Sequence, residues 1–196
     1  MGEEDMNFTR TVIPDVIIIE PKVHGDERGY FVETFRLDNF EKFLGYKVNF
    51  CQDNESRSKH GVLRGLHYQL PPFAQSKLVR VIDGRVLDIA VDIRVGSSTF
   101  GEHVAVELNG KNKKQMFIPR GFAHGFVVLS ETCTFAYKVD NYYSPQHDRG
   151  IAFNDSYFKI DWQVPIEGLQ LSLKDAQQPK LVDTVDLFNY KVNYYA

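Results

Sequence analysis

The sequence predicts an all-β barrel or sandwich, and three observations carry that expectation. Short runs rich in β-branched and aromatic residues recur roughly every eight to twelve residues, each closed by Gly, Pro, Asn or Asp. One of them, residues 86–93, has few polar positions, as a strand buried on both faces would. Only one stretch reads clearly as helix, residues 37–44.

In chain order, the strand-like runs are 16–20, 30–35, 48–52, 62–69, 78–82, 86–93, 103–108, 115–118, 125–129 and 134–139. In the helical stretch Phe40, Phe43 and Leu44 form an apolar face, with Asp38 the expected N-cap and Gly45 the stop. Around Asp175 the pattern blurs into loop or short helix. There is no Ser/Gly linker, internal repeat or low-complexity tract, so residues 1–196 are expected to form one domain, with 1–5 as a disordered leader.

Composition narrows the function. The chain is 43% hydrophobic and 25% charged, a globular balance. Its net charge of −3 gives no general attraction to nucleic acid, so an anionic ligand has to be gripped by local basic clusters. Two cysteines, Cys51 and Cys133, make no disulfide framework and suit a reducing compartment. No apolar run reaches the roughly 20 residues of a membrane helix. The acidic, polar start reads as neither signal nor transit peptide. A cytoplasmic protein with no membrane or nucleic-acid partner is expected.

The segment Pro119-Arg120-Gly121-Phe122-Ala123-His124 has the Pro-x-Gly-x-x-His spacing of the second cupin motif, in which a tight turn delivers the His into a barrel mouth. His67 lies upstream of Gly84 about where the first cupin motif holds its ligands. The chain therefore resembles a cupin-like jelly-roll barrel, and the resemblance implies a few short helices beside it. Metal-binding cupins supply His-x-His and a glutamate here. This chain reads His67-Tyr68-Gln69, and Lys77 stands at the glutamate position. An ammonium repels a divalent cation but stabilises an anion, so no metal and no cofactor are expected.

The densest signal is a series of strings: Gly25-Asp26-Glu27-Arg28-Gly29-Tyr30-Phe31-Val32-Glu33, Gln52-Asp53-Asn54-Glu55-Ser56, Leu63-Arg64-Gly65-Leu66-His67-Tyr68-Gln69 and Lys77-Leu78-Val79-Arg80. Tyr137-Lys138, Asn141-Tyr142-Tyr143-Ser144-Pro145 and Ser172-Leu173-Lys174-Asp175-Ala176 complete it. In this order and spacing they resemble the dTDP-4-dehydrorhamnose 3,5-epimerases over most of the chain. A 4-keto sugar has acidified hydrogens at C3 and C5, and inverting either centre needs a base on one face, an enolate stabiliser and an acid on the other face. His67 is the candidate base, since imidazole titrates near neutrality. Lys77, helped by Arg64, is the candidate enolate stabiliser. Tyr137 is the candidate acid, and the resemblance implies that Asp175 orients His67.

The resemblance also implies a nucleotide-diphosphate sugar as substrate. Arg28 and Arg64 are the matched phosphate ligands, with His124 in the same mouth. Tyr143 would stack on the base, opposed by Phe31 from a neighbouring subunit, so that a homodimer is the active unit. Glu33, Gln52, Asn54 and Lys174 would bind base, sugar or phosphate. Three departures stand out: Arg120 where many relatives are acidic, expected to add charge beside His124; Asp148 for a longer glutamate; and Phe153 for a Trp. The same acid–base set would serve a single-centre epimerase, an epimerase of another nucleotide-linked 4-keto sugar such as a GDP-linked heptose, or, less readily, a 3,4-ketoisomerase. A non-catalytic sugar-binding cupin would leave the set without purpose.

Overall fold

The computed structural model describes residues 6–196, so the expected leader at 1–5 lies outside the described residues. Strands β1 (Met6–Arg10), β2 (Ile17–Pro21), β3 (Val23–Asp26) and β4 (Gly29–Val32) precede helix α1 (Leu37–Leu44). Then come β5 (Gln52–Lys59), β6 (Leu63–Gln69), β7 (Lys77–Asp83), β8 (Arg85–Asp92) and the short β9 (Arg94–Val95). They are followed by β10 (His103–Asn109), β11 (Gln115–Ile118), β12 (Phe122–Val128), β13 (Thr132–Val139) and β14 (Asp148–Gly150). Beyond β14 lie the one-turn helix α2 (Leu173–Ala176), two 3₁₀ turns and β15 (Phe188–Asn189).

Eleven of these strands form two antiparallel sheets, ordered β1-β2-β11-β7-β13-β5 and β10-β8-β12-β6-β14, and β3-β4 and β15-β9 pair as two-stranded sheets. The two larger sheets face each other as a cupin-like jelly roll, the fold class the sequence predicts. Alternation along β8 shows why that strand is apolar on both faces, with Asp88 and Asp92 its buried exceptions. Val86 and Ala90 enter the core between the sheets with Val79, Val81 and Phe135 of the opposite sheet. Leu87, Ile89 and Val91 point the other way, beneath a C-terminal cover of Phe153, Phe158, Trp162, Leu181 and Phe188. Phe153 is thus a core residue of that cover, and its carbonyl accepts from Trp162 Nε1 at 2.9 Å.

Helix α1 covers the outside of the six-stranded sheet, where Phe40 and Leu44 pack on Ile17, Ile19, Leu78 and Phe117. Gly45 ends it at φ 82°, its N–H reaching the Glu41 carbonyl at 2.9 Å. Asp38 is not the N-cap. The helix starts at Leu37 after an extended Arg36, and the Asp38 carboxylate is taken by Arg36 Nε at 2.8 Å within the first turn. The run at 48–52 also needs correction. Val48 buries against α1 and its N–H donates to Glu41 Oε1 at 3.1 Å, while the strand proper begins at Gln52. That strand, β5, has no large apolar residue, and its pairing with β13 from Gln52↔Val139 to Lys59↔Thr132 is what holds it extended.

Candidate active site

Five strands and α2 deliver the candidate residues to one end of the space between the sheets. Lys77, Val79 and Val81 share the inward face of β7, and Tyr137 shares that of β13 with Phe135 and Cys133. Val79 and Tyr137 are register partners. Gln52, Asn54, Ser56 and Ser58 are the less exposed positions of β5, alternating with exposed ones.

On the facing sheet, β6 breaks its alternation to present two polar residues. Its pairing with β12 runs His67↔His124 and then Arg64↔Phe126, three residues against two, which is a β-bulge. Arg64 and His67, three apart, therefore both reach the cavity, while Leu63, Leu66 and Tyr68 remain in the core on the other face. The bulge needs glycine. Gly65 has φ 133°, and a Cβ there would lie 2.5 Å from Gly125 Cα of the neighbouring strand.

Two adjoining cavities of about 390 and 410 Å³ share Asn54, His67, Lys77, Tyr137 and Lys174. His67 Nε2 is 2.5 Å from Asp175 Oδ1, a carboxylate that is 5% exposed. Asp175 is itself fixed through Ser172, the N-cap of α2, whose Oγ accepts from the Asp175 N–H at 3.1 Å. Burial alone would raise the Asp175 carboxyl. The hydrogen bond and charge of His67, with Ser172 and Lys174, outweigh burial and hold it below the ordinary carboxylate value. An ionised carboxylate only accepts, so the His67 proton is directed to Nε2 and the lone pair is left on Nδ1.

Burial, the largest influence on Lys77, lowers its ammonium from the ordinary 10.5 to about 8, opposed by Asp148 and Asp88 and reinforced by Lys174. Burial also raises the Tyr137 phenol, against the pull of Arg64, and so keeps it protonated at neutral pH. Arg64 donates weakly to Ser58 Oγ, at 3.3 and 3.4 Å, leaving most of its donors facing the opening.

Around the opening, Asp148 of β14 pairs with Lys174 of α2 and accepts from the Tyr143 hydroxyl at 3.1 Å. Gln52 Nε2 donates to Asn54 Oδ1 at 2.8 Å, beside them in the second cavity. Asp148 thus borders the cavity that holds His67 and Lys77, and its charge is felt by Lys77.

Other residues singled out from the sequence lie outside this mouth or are already engaged. Arg28 is not in this mouth: it pairs with Asp26 on the β3–β4 hairpin, which is hydrogen-bonded as a two-stranded sheet of its own. Phe31 is on the same hairpin, 70% exposed, and Glu33 follows it without lining either cavity. His124 lines the cavity but is buried behind it, its Nε2 at 3.0 and 3.1 Å from the two oxygens of Asp88. Burial favours the neutral form of both, lowering the imidazole and raising the carboxyl. Arg120 adds no charge beside His124, because its guanidinium turns away to Asp140 and to the carbonyl of Tyr194.

Asp88 was missed from sequence. An acid set mid-strand between Val86 and Ala90, on the face that enters the core, is the signal that could have found it. Among the described residues, no three or more His, Cys, Asp or Glu side chains converge as metal ligands do.

The family model described as dTDP-4-dehydrorhamnose 3,5-epimerase matches residues 10–183. The chain belongs to that family. It is 54% identical over 178 residues to the dTDP-4-dehydrorhamnose 3,5-epimerase of Shigella flexneri, covering 91% of this chain and 97% of the other. The Pseudomonas aeruginosa epimerase of the same name is 51% identical, with 93% and 99% covered. The crystal structure of dTDP-6-deoxy-D-glucose-3,5-epimerase from Legionella pneumophila, in complex with dTDP-4-keto-L-rhamnose, is similar with a TM-score of 0.91 and 50% identity. That comparison covers 95% of this chain and 100% of the other. The epimerase family model stops short of β15 and the residues after it.

Proposed function

We propose that the chain inverts C3 and C5 of dTDP-4-dehydro-6-deoxyglucose to give dTDP-4-dehydro-L-rhamnose, without metal or cofactor. The observation that carries the reading is the opposition of His67 and Tyr137. The first projects from the five-stranded sheet and the second from the six-stranded sheet, into one cavity that Lys77 also enters. A sugar ring between the sheets has a base on one face and an acid on the other.

In each half of the reaction His67 Nδ1 takes the proton from the carbon next to the carbonyl. The C–H electron pair moves into the ring, and the C4 oxygen becomes an enolate held by the Lys77 ammonium, with Arg64 near. Tyr137 then protonates the carbon from the opposite face and the carbonyl re-forms. Asp175 keeps the imidazole in the required tautomer and stabilises its cation. Proton exchange with solvent resets His67 and Tyr137 for the second centre.

The diphosphate is assigned to Arg64 and the base to Tyr143, with Gln52, Asn54 and Lys174 as polar contacts. His124 would act from behind the cavity wall. Arg28, Phe31 and Glu33 serve a second copy of the chain in a homodimer. The exposed hairpin supports this assignment: Phe31 and the 58% exposed Tyr143 each present an unshielded ring that a nucleobase can join. A cytoplasmic location fits the two free thiols.

Proton NMR of dTDP-4-dehydro-6-deoxyglucose incubated with the protein in D2O tests the proposal. Loss of both the C3 and C5 proton signals, abolished by His67→Ala, is the expected result. Exchange at one carbon makes the chain a single-centre epimerase, and no exchange with this substrate removes the proposal.

A further inference from the structure

The segment after Asp183 lies beyond the family match, yet it is tied closely to the barrel. β15 pairs in parallel with β9, and Phe188, 2% exposed, packs edge-on against Tyr68 and Tyr194. The chain then returns across the end of the barrel to Tyr195, whose ring lies 4.7 Å from that of Tyr46 and 5.1 Å from the Arg120 guanidinium.

The Tyr195 hydroxyl is the centre of a small polar network. It is 2.6 Å from Ser76 Oγ and accepts from the Arg120 N–H at 2.9 Å. Arg120 Nε reaches Asp140 Oδ2 at 3.1 Å, and Asp140 Oδ1 accepts from the Ser76 N–H at 2.5 Å. Each member abuts a strand that carries a site residue. Ser76 immediately precedes Lys77, Asp140 follows the last residue of β13 after Tyr137, and Arg120 lies in the turn that opens β12 before His124. The network therefore adds side-chain ties beyond the last sheet pairs, Lys77↔Val139 and Lys77↔Ile118, where the strands carrying the site residues end.

We infer that residues 188–195 form a strap, and that Tyr195 is a positioning residue which sets the reach of Lys77 towards the sugar's C4 oxygen through Ser76. The inference rests on the epimerase reading of the site. Ser76 is fully buried, so movement at its hydroxyl passes to the backbone of Lys77 and not to solvent. The titratable and charged groups around Lys77 are Asp88 of β8, His124 of β12, His67 and Arg64 of β6, Glu55 of β5, Tyr137 of β13, Asp148 of β14, and Lys174 and Asp175 of α2. None belongs to the strap, so its influence on Lys77 is one of placement.

Tyr195→Phe keeps the ring and removes the hydroxyl; Ser76→Ala removes the other half of the same bond. In both variants kcat should fall about 10-fold with KM changed less than about twofold, because a small misplacement is felt in the transition state more than in binding. The alkaline limb of kcat should move upward, because displacement relieves the burial that lowers the Lys77 ammonium. In a Lys77→Ala background, Tyr195→Phe should cause no further loss of the residual exchange. Unchanged kcat and pH limb in a folded variant overturn the inference. So does a rise in KM alone, additivity with Lys77→Ala, or failure of both variants to fold, which would make the network a general brace. A wild type that exchanges no substrate proton refutes the epimerase reading instead.

Discussion

Replacing Lys77 by Met should make the protein more stable and nearly inactive, a pairing that separates the chemical role of the ammonium from its cost. The folded state holds this group at about 8 against an ordinary 10.5. Each tenfold change in proton affinity is worth roughly 1.4 kcal/mol, so the buried ammonium costs on the order of 3 kcal/mol, less whatever water screens at the cavity opening. The direction follows from the lowered value. Below pH 8 both states are protonated and the whole cost is present; between 8 and 10.5 the unfolded chain binds more protons and stability rises with pH; above 10.5 the cost is gone. Met fills a similar volume without a charge.

Thermal unfolding at pH 6.5 should therefore show Lys77→Met melting several degrees above wild type, at about 2–4 °C per kcal/mol for a domain of this size. The two melting curves should converge near pH 10.5. Activity at pH 7 should fall by about 10²–10³-fold, the usual loss when an oxyanion donor is removed. A variant that melts below wild type at pH 6.5 would refute the account of the ammonium as desolvated. Retained kcat would refute its role at the enolate oxygen.

Tyr137→Phe should slow net epimerisation by about 10²-fold or more while washout of substrate deuterium or protium by His67 persists, a split visible by NMR in D2O. Asp175→Asn should lower kcat on the order of 10²-fold, since an amide can donate to His67 and favour the wrong tautomer; the pH–rate profile and KM distinguish this from lost binding. Gly65→Ala should fail to give a folded, soluble protein at 37 °C, because its Cβ meets backbone at 2.5 Å in the bulge that aims His67. Circular dichroism of any soluble fraction would show whether the strand pair survives. Phe40→Ala should cost about 3–5 kcal/mol in urea unfolding by opening the seam between α1 and the six-stranded sheet, with kcat of the folded fraction unchanged.

Much of this was legible before the structure, for reasons that differ by residue. The doubly buried β8 announced itself because both faces meet apolar layers, and α1 because its seam has helical spacing. His67, Lys77, Tyr137 and Asp175 were legible as a family pattern, but nothing local says that Arg64 and His67 share a face. Simple alternation puts residues three apart on opposite sides, and only the bulge at Gly65 brings them together. β5 was misread because its extended form is imposed by β13 and not by its own residues. Asp38 lost the capping position to a competing ion pair with Arg36. The reach of Arg120 was unreadable because its partners, Asp140 and the Tyr194 carbonyl, are distant in sequence and meet it only across the barrel end.

The opening of the cavity is built differently from its interior. His67, Lys77 and Tyr137 belong to strands paired on both sides, whereas Tyr143 sits in a loop and Asp148 on a three-residue strand. A lineage can therefore explore new nucleotides or sugars by changing Tyr143 at little risk to folding or proton transfer, whereas a change at Asp148 also alters the charge felt by Lys77. Lys174 is less free. It is adjacent to Asp175 on a single helical turn, so a substitution that shifts this turn to suit a new ligand also rotates the group that orients the base. Divergence of substrate choice should accumulate first at the loop, and reach the short strand and the turn only where a loss of turnover can be tolerated.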